Sequence, residues 1–544
     1  MLPPAHRYGA GVTVVRGFVV LAVLFVGLLG TPAAAEASDA RGAEPPNIVL
    51  VVTDDQRWDT LSAMPTVSSE LVGQGVTFRN AFVVNPLCCP SRAAILTGTY
   101  SHTNGVWSNA GMPYGGVRVF DHRATLATWL DEAGYETMLV GKYMNGYGPP
   151  LGPPFVPPGW DRWLAFFGSN GYFTYRLTDG ASVRTYGPER VEANYSTDVL
   201  AAEAEAFVRS APSPFFLYFA PFAPHKNGSF SADPAPRHVD AFAGAPYTPP
   251  PSVNEADVRD KPGFIRRRST YDVEKLTELR EEQLETLLAV DEAVAGLLTA
   301  LDEAGTLENT LFLFTSDNGH AWGEHRWAGK RVAYEESIRV PLVARWDALA
   351  LPPREVDQPV LNIDLASTIT EAAGVRVPGR DGRSLIPLLS DGTAAWRSRF
   401  LIEYFDIAVP SYCGIRSERW KYAQYRTGEE ELYDLLRDPH ELRNLAGSPT
   451  RRTKVMESRG IVRRSSCRPP NRYEPLPLCS RLGTDRGESI LGTRWRDWIC
   501  AGGGRDVIRV RWGGRDVVRC GPGRDTVYAS PNDITHGCER VVRR

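Results

Sequence analysis

Asp54 and Asp55 stand side by side at the end of an apolar run, residues 47–52. Adjacent carboxylates repel one another unless something positive lies between them, and a hard cation with oxygen ligands is the usual answer. Asp317-Asn318 offers a further carboxylate and an amide oxygen after a second run, 310–314. Cationic and acid–base groups recur in matching places. Lys142 follows the run 137–140, His225 follows 215–219, and Lys330 follows a loop containing Gly323-Glu324-His325. Taken singly, each has a bland reading: a solvated loop or helix cap for the acids, a surface charge for a lysine, a satisfied structural group for a histidine. Cys88 and Cys89 on their own read as buried apolar packers. Arg92 lies one helical turn beyond Cys88 and can reach back to it.

The elements that must position these groups are legible around them. The runs at 47–52, 137–140, 215–219 and 310–314 are short and continuously apolar, the mark of strands buried on both faces. Helical patterns separate them, over 126–133, over 196–208 with Ser196 as N-cap, and over 278–304. The alternation predicts an α/β fold across residues 45–360, a large mostly parallel sheet sandwiched by helices. Ligands of such sheets gather beyond the carboxyl ends of the strands. The acids, the lysines and the histidine therefore converge on one edge.

A smaller C-terminal α+β subdomain is expected over 361–446, and an Arg-, Ser- and Pro-rich linker over 447–490. Beyond it, Asp497, Asp506, Asp516 and Asp525 are spaced by 9, 10 and 9 residues, three of them in Gly-Arg-Asp triplets. The pattern over 491–544 is similar to the nonapeptide of calcium-binding β-rolls and predicts a short β-solenoid-like tail; whether it holds further Ca²⁺ stays open. Five of the eight cysteines crowd this end (Cys467, Cys479, Cys500, Cys520, Cys538), which points to disulfides in an exported protein, with the odd one free or paired to Cys413. Export is also the reading of the N-terminus: Arg7 and Arg16, an apolar stretch 17–30, then Ala33-Ala34-Ala35, a secretory signal over 1–35 cleaved after Ala35. No segment is long and apolar enough for a stable membrane span.

The net charge of −3 hides an asymmetry: residues 451–544 carry 21 Lys+Arg against 10 Asp+Glu, a net of +11, which leaves −14 for the rest. No nucleic-acid partner is expected. The basic tail has two readings, a generic solvated solenoid or a grip on an anionic glycan or cell surface.

Leu87-Cys88-Cys89-Pro90-Ser91-Arg92 with Leu96-Thr97-Gly98 resembles the segment that marks sulfatases, in which the first cysteine is oxidised to formylglycine (3-oxoalanine). Thr53-Asp54-Asp55-Gln56, Gly141-Lys142-Tyr143, Ala223-Pro224-His225, Ser316-Asp317-Asn318-Gly319 and Gly329-Lys330 with Tyr334-Glu335 follow in that family's order and spacing. The likeness covers about residues 45–446. Within the family the chain is most similar to N-acetylglucosamine-6-sulfatases and extracellular heparan 6-O-sulfatases, through Gly141-Lys142-Tyr143-Met144-Asn145, Pro158-Gly159-Trp160 and Pro410-Ser411-Tyr412-Cys413-Gly414.

The resemblance implies hydrolysis of a sulfate ester on a sulfated carbohydrate. It implies a formylglycine-generating enzyme acting on Cys88 during maturation. It also implies one Ca²⁺ (Mg²⁺ the alternative) held by Asp54, Asp55, the modified Cys88, Asp317 and Asn318, an all-oxygen set unlike the His and thiolate ligands of zinc. Arg92 would steady the aldehyde hydrate, Lys142 and Lys330 hold the sulfate, and His225 protonate the leaving alcohol. One position departs: many sulfatases carry His where this chain has Met144, so the base that deprotonates the hydrate is unassigned, with His102 a guess from its nearness in sequence. The alternatives are a phosphodiesterase or phosphonate monoester hydrolase of the same superfamily, and an inactive secreted glycan-binding protein.

Overall fold

The protein is described here by a computed structural model covering residues 44–543, apart from 110–114, 150–151, 229, 393, 407, 468–480, 483–485, 493–497, 511–515 and 522. The signal over 1–35, Cys479 and Asp497 lie outside the described residues.

Five strands form the centre of the sheet: β1 (Asn47–Thr53), β2 (Glu136–Gly141), β3 (Arg162–Phe166), β4 (Phe215–Ala220) and β5 (Thr310–Ser316). Their order is β5-β1-β4-β2-β3 and every pair among them is parallel. An antiparallel strand flanks this centre on each side, Leu342–Arg345 beside β5 and Tyr175–Thr178 beside β3, within a sheet of ten strands.

The unbroken apolar runs follow from a sheet covered on both faces. Along β1, Ile48, Leu50 and Val52 enter one core while Val49 and Val51 enter the other. β4 does the same, with Phe216 and Tyr218 on one side and Phe215, Leu217 and Phe219 on the other. Helix α1 (Cys88–Thr97) closes the first face through Cys89, Ala93, Ile95 and Leu96. Helices α2 (Ser196–Ser210) and α3 (Val273–Glu303) close the second through Leu200, Phe207, Leu287 and Val294. Two boundaries differ from the sequence reading. α2 is capped by Tyr195, not Ser196. α3 starts five residues earlier than its apolar pattern, because Asp272 Oδ1 accepts the Glu274 amide (3.0 Å) and caps an exposed first turn.

The C-terminal subdomain is a four-stranded antiparallel sheet in sequential order, β6 (Arg399–Tyr404), β7 (Tyr412–Ser417), β8 (Trp420–Tyr425) and β9 (Glu430–Asp434). The expected linker 447–490 is corrected at its start: α4 (Arg452–Arg464) is a helix with Val455, Ser458 and Val462 buried. The disulfide Cys413–Cys467 fastens its end to β7.

The tail winds as a solenoid of two parallel four-stranded sheets, one strand of each coil in either sheet. Its aspartates join successive coils. Asp525 Oδ1 accepts the Asp506 amide (2.9 Å) and Asp506 Oδ1 accepts the Glu488 amide (2.8 Å). Residues Pro45–Arg544 form one compact unit.

Candidate active site

The register sets the carboxyl ends of the strands level. Thr53 pairs with Ser316, and Gly141 pairs with Ala220. Backbone bonds continue past those ends, from the Asp317 amide to Thr53 O (3.0 Å), from Asp54 to Ala223 O (3.0 Å) and from Lys142 to Ala220 O (2.7 Å). Gly141 makes the last approach feasible. Its φ is 110°, and a Cβ there would stand 2.1 Å from Ala220 O. Asp55 is itself left-handed (φ 72°), a conformation that non-glycine residues hold only where the surroundings enforce it.

These edges bring the acids, lysines and His225 of the sequence reading together around Cys88, the first residue of α1. Lys330 Nζ donates to Cys88 Sγ (2.7 Å) and to Asp55 Oδ1 (2.5 Å). Cys88 Sγ lies 3.5 Å from Asp54 Oδ1, and Lys142 Nζ pairs with Asp54 Oδ2. Arg92, wholly buried one turn along α1, donates from Nε to Asp317 Oδ2 (2.8 Å) and from Nη1 to Lys142 O (2.9 Å). Asn318 Nδ2 donates to Asp55 Oδ1 (2.6 Å), while Asn318 Oδ1 is buried with no partner. His225, 26% exposed, places Nε2 3.6 Å from Asp55 Oδ2, with Nδ1 on the Lys226 carbonyl (2.5 Å). Ligand atoms of Asp54, Asp55, Cys88 and His225 all lie within 4.8 Å of one another.

Electrostatics follow from crowding these charges out of water. Burial acts to raise Asp54 and Asp55, but Lys142 and His225 on the first, and Lys330 and His225 on the second, hold both well below the ordinary carboxylate range. Asp317 goes the other way, to about 6, because burial and the nearby Asp54 charge outweigh Arg92. Burial lifts the Cys88 thiol to about 11 in spite of Lys142 and Lys330, and lowers His225 to about 4 against the pull of Asp55. The site is an acid-rich pocket of oxygen donors with cations folded inward.

Other readings resolve in place. Met144 is buried with Sδ 3.5 Å from Cys89 Sγ, so it belongs to the core beside the second thiol. His102 is engaged by Glu403 through Nδ1, not by Cys88. The sequence reading missed His320. Its ring is buried, both nitrogens lack hydrogen-bond partners, and Nδ1 is 3.7 Å from Asp55 Oδ2. The available signal was its place one residue beyond Asp317-Asn318-Gly319.

A doubly covered parallel sheet whose strand ends converge on a buried cysteine, acids and lysines is the architecture of a hydrolase of anionic esters. Residues 46–375 match the sulfatase family model, and 323–459 match the model of the N-sulphoglucosamine sulphohydrolase C-terminal region. The chain belongs to the sulfatase family, enzymes that hydrolyse sulfuric esters. It is 33% identical to an N-acetylglucosamine-6-sulfatase of Capra hircus over 75% of this chain and 81% of that one. It is 32% identical to an extracellular sulfatase SULF-1 homolog of Drosophila melanogaster over 66% of this chain and 33% of the relative. A solved structure described as a complex with its substrate, D-glucosamine-2-N,6-O-disulfate, superposes with a TM-score of 0.65 at 26% identity, covering 77% of this chain and 97% of that one. Among the described residues, no helix is long and apolar enough to cross a membrane.

Proposed function

We propose that the protein is an exported sulfatase that removes a sulfate ester from an amino sugar or glycosaminoglycan, using a formylglycine made from Cys88 and one Ca²⁺. The observation that carries this reading is the meeting of Cys88 Sγ with Lys330 Nζ (2.7 Å) and Asp54 Oδ1 (3.5 Å) at the edge where the acids end. The likeness to N-acetylglucosamine-6-sulfatases, and to a structure holding a disulfated glucosamine, supports the substrate class. Export is supported by the N-terminal signal pattern and the extracellular relative.

The donor set fits the cation. Asp54, Asp55, Asp317 and Asn318 offer only oxygen, and the orphaned Asn318 Oδ1 is an acceptor awaiting a positive partner. Asp54, Asp55, Asp317 and Asn318 would hold the Ca²⁺ beside residue 88, where metal and hydrated aldehyde together would supply an activated hydroxyl as nucleophile and a second hydroxyl for release of sulfate. The remaining work belongs to the chain's own groups. Lys142 and Lys330 neutralise sulfate oxygens as charge develops on them. Arg92, fixed by Asp317 and the Lys142 carbonyl, holds the first turn of α1 and the side chain at 88 in place. With Nδ1 tied to the Lys226 carbonyl, His225 presents Nε2 to the cluster, where it hands a proton to the departing sugar oxygen. Burial keeps that ring neutral in the free site. An anionic ester beside it raises its proton affinity.

Mass analysis of a peptide spanning residue 88, combined with rates on glucosamine-6-sulfates, an aryl sulfate and a phosphodiester before and after Ca²⁺ removal, tests the reading. An unconverted thiol in active enzyme, or a faster phosphodiester than sulfate reaction, overturns it.

A further inference from the structure

Two cationic side chains border the site without a role in the chemistry above. Lys226 follows His225, and Arg331 follows Lys330. Both are half-buried, and neither makes an ion pair among the described residues. Arg331 Nε is buried with no hydrogen-bond partner. Among the described residues, the contact of Lys226 Nζ is with the ring face of Phe230, at 5.1 Å. The two charges also act against each other: burial lowers Lys226, and Lys330 and Arg331 lower it further, with Asp55 opposing. Cations in a protein interior are ordinarily paired, because desolvation without compensation is expensive.

The backbone at Arg331 is costly as well. Its φ is 86°, the left-handed region that suits glycine, and its amide is fastened to Pro86 O (3.1 Å), two residues before Cys88. Such conformations persist where surrounding structure over-determines them, and they cluster at ligand clamps. The result is a guanidinium close enough to Lys226 to lower its proton affinity, one residue along the chain from the lysine that touches Cys88, with its Nε unspent. Planar donors of this kind suit sulfo and carboxylate groups.

We propose that Arg331 and Lys226 form a subsite for a second anionic group of the substrate, adjacent to the ester that is cleaved. This rests on the sulfatase reading above and narrows it: the preferred substrate carries at least two anionic groups. The group is either an N-sulfo substituent of the same sugar or the carboxylate of a neighbouring uronic acid.

The test compares three 6-sulfates with the full-length, converted enzyme: N-acetylglucosamine, N-sulfoglucosamine, and N-acetylglucosamine linked to a uronic acid. One of the two dianionic substrates is expected to exceed the N-acetyl monosaccharide in kcat/KM by about tenfold or more; which one identifies the source. Arg331→Ala should cut that ratio by roughly 10- to 100-fold, mostly through KM, and Lys226→Ala by a smaller factor. Arg331→Lys should restore part of it, which a fold defect would not. Wild-type enzyme without preference for either dianion, or variants that slow all three substrates equally, overturns the subsite and leaves the sulfatase reading standing. Absence of turnover on every sulfate ester by converted wild-type enzyme overturns both.

Discussion

Burial lifts the Cys88 thiol to about 11, so at neutral pH the unmodified side chain is a neutral thiol surrounded by cations it cannot answer. Serine at this position has an oxygen but no second hydroxyl to expel sulfate. Cys88→Ser is therefore expected to fold and to lose on the order of 10³-fold or more of multiple turnover. Sustained turnover by that variant, measured against a thermal melt matching wild type, would sink the mechanism. A second residue-scale prediction concerns Glu336, pushed up to about 8 by burial and by Glu324 and Glu441, with Arg57 opposing. A folded-state pKa above the ordinary 4.5 means that the folded form keeps a proton the unfolded chain gives up. That contribution to stability is complete below the ordinary value and drains away as pH climbs towards 8. Melting temperature should fall by roughly 5 °C between pH 6 and 8.5, and Glu336→Gln should remove much of the slope. The residues of the site that were readable share one property: Asp54, Lys142, His225 and Asp317 each stand just past a continuous apolar run. His320 and Lys226 lie just beyond the marked positions and Arg331 just beyond Lys330, and were passed over because a lone cation or imidazole in a loop looks the same whether it faces water or a pocket.

At the scale of elements, the sheet was legible because burial on both faces removes alternation and leaves runs such as residues 47–53 unbroken. α4 was not. Its buried positions, Val455, Ser458 and Val462, are few and lie among arginines, so its apolar face is too thin to read as a helix in the absence of β7 and β8. The joint between β2 and its neighbour β4 carries a sharper prediction. Gly141→Ala would put a methyl group 2.1 Å from Ala220 O at a φ of 110°. The strand end must shift, and Lys142 shifts with it. A loss of about 1–3 kcal/mol in stability is expected, together with a drop in kcat/KM larger than that loss explains. Denaturant unfolding and kinetics on one sample separate the two. Retention of both would show that the close approach of the strands is dispensable.

At the scale of the molecule, the boundary between catalytic body and tail lies later than composition indicates. Truncation after Thr450 removes α4 and leaves Cys413 without its partner. Truncation after Cys467 keeps both and removes the solenoid, whose buried residues form a cluster of their own. The longer product should melt close to full length and hydrolyse a small sulfate ester at a similar rate. The shorter should melt several degrees lower, since opening a native disulfide alone costs about 2–4 kcal/mol. Adsorption of the full chain and the longer product to an anionic glycan resin reports whether residues 468–544, which carry 15 Lys+Arg against 9 Asp+Glu and so a net +6 of the tail's +11, act as a grip; equal retention assigns them no such role. The solenoid itself was legible from the aspartate spacing, because Asp506 and Asp525 each tie one coil to its neighbour through a backbone amide.

The cysteine at residue 88 is 1% exposed, covered by Lys330 and rooted in the first turn of a helix with no exposed residue. No second enzyme can close around it there. On the function proposed above, conversion to the aldehyde would be a race between a modifying enzyme and the collapse of the chain, decided while α1 is still open. The aldehyde fraction in a purified batch would then be a clock reading of that race. Chain that folds first is sealed with its thiol intact, and adding the modifying enzyme afterwards should rescue it only if it is unfolded and allowed to start again.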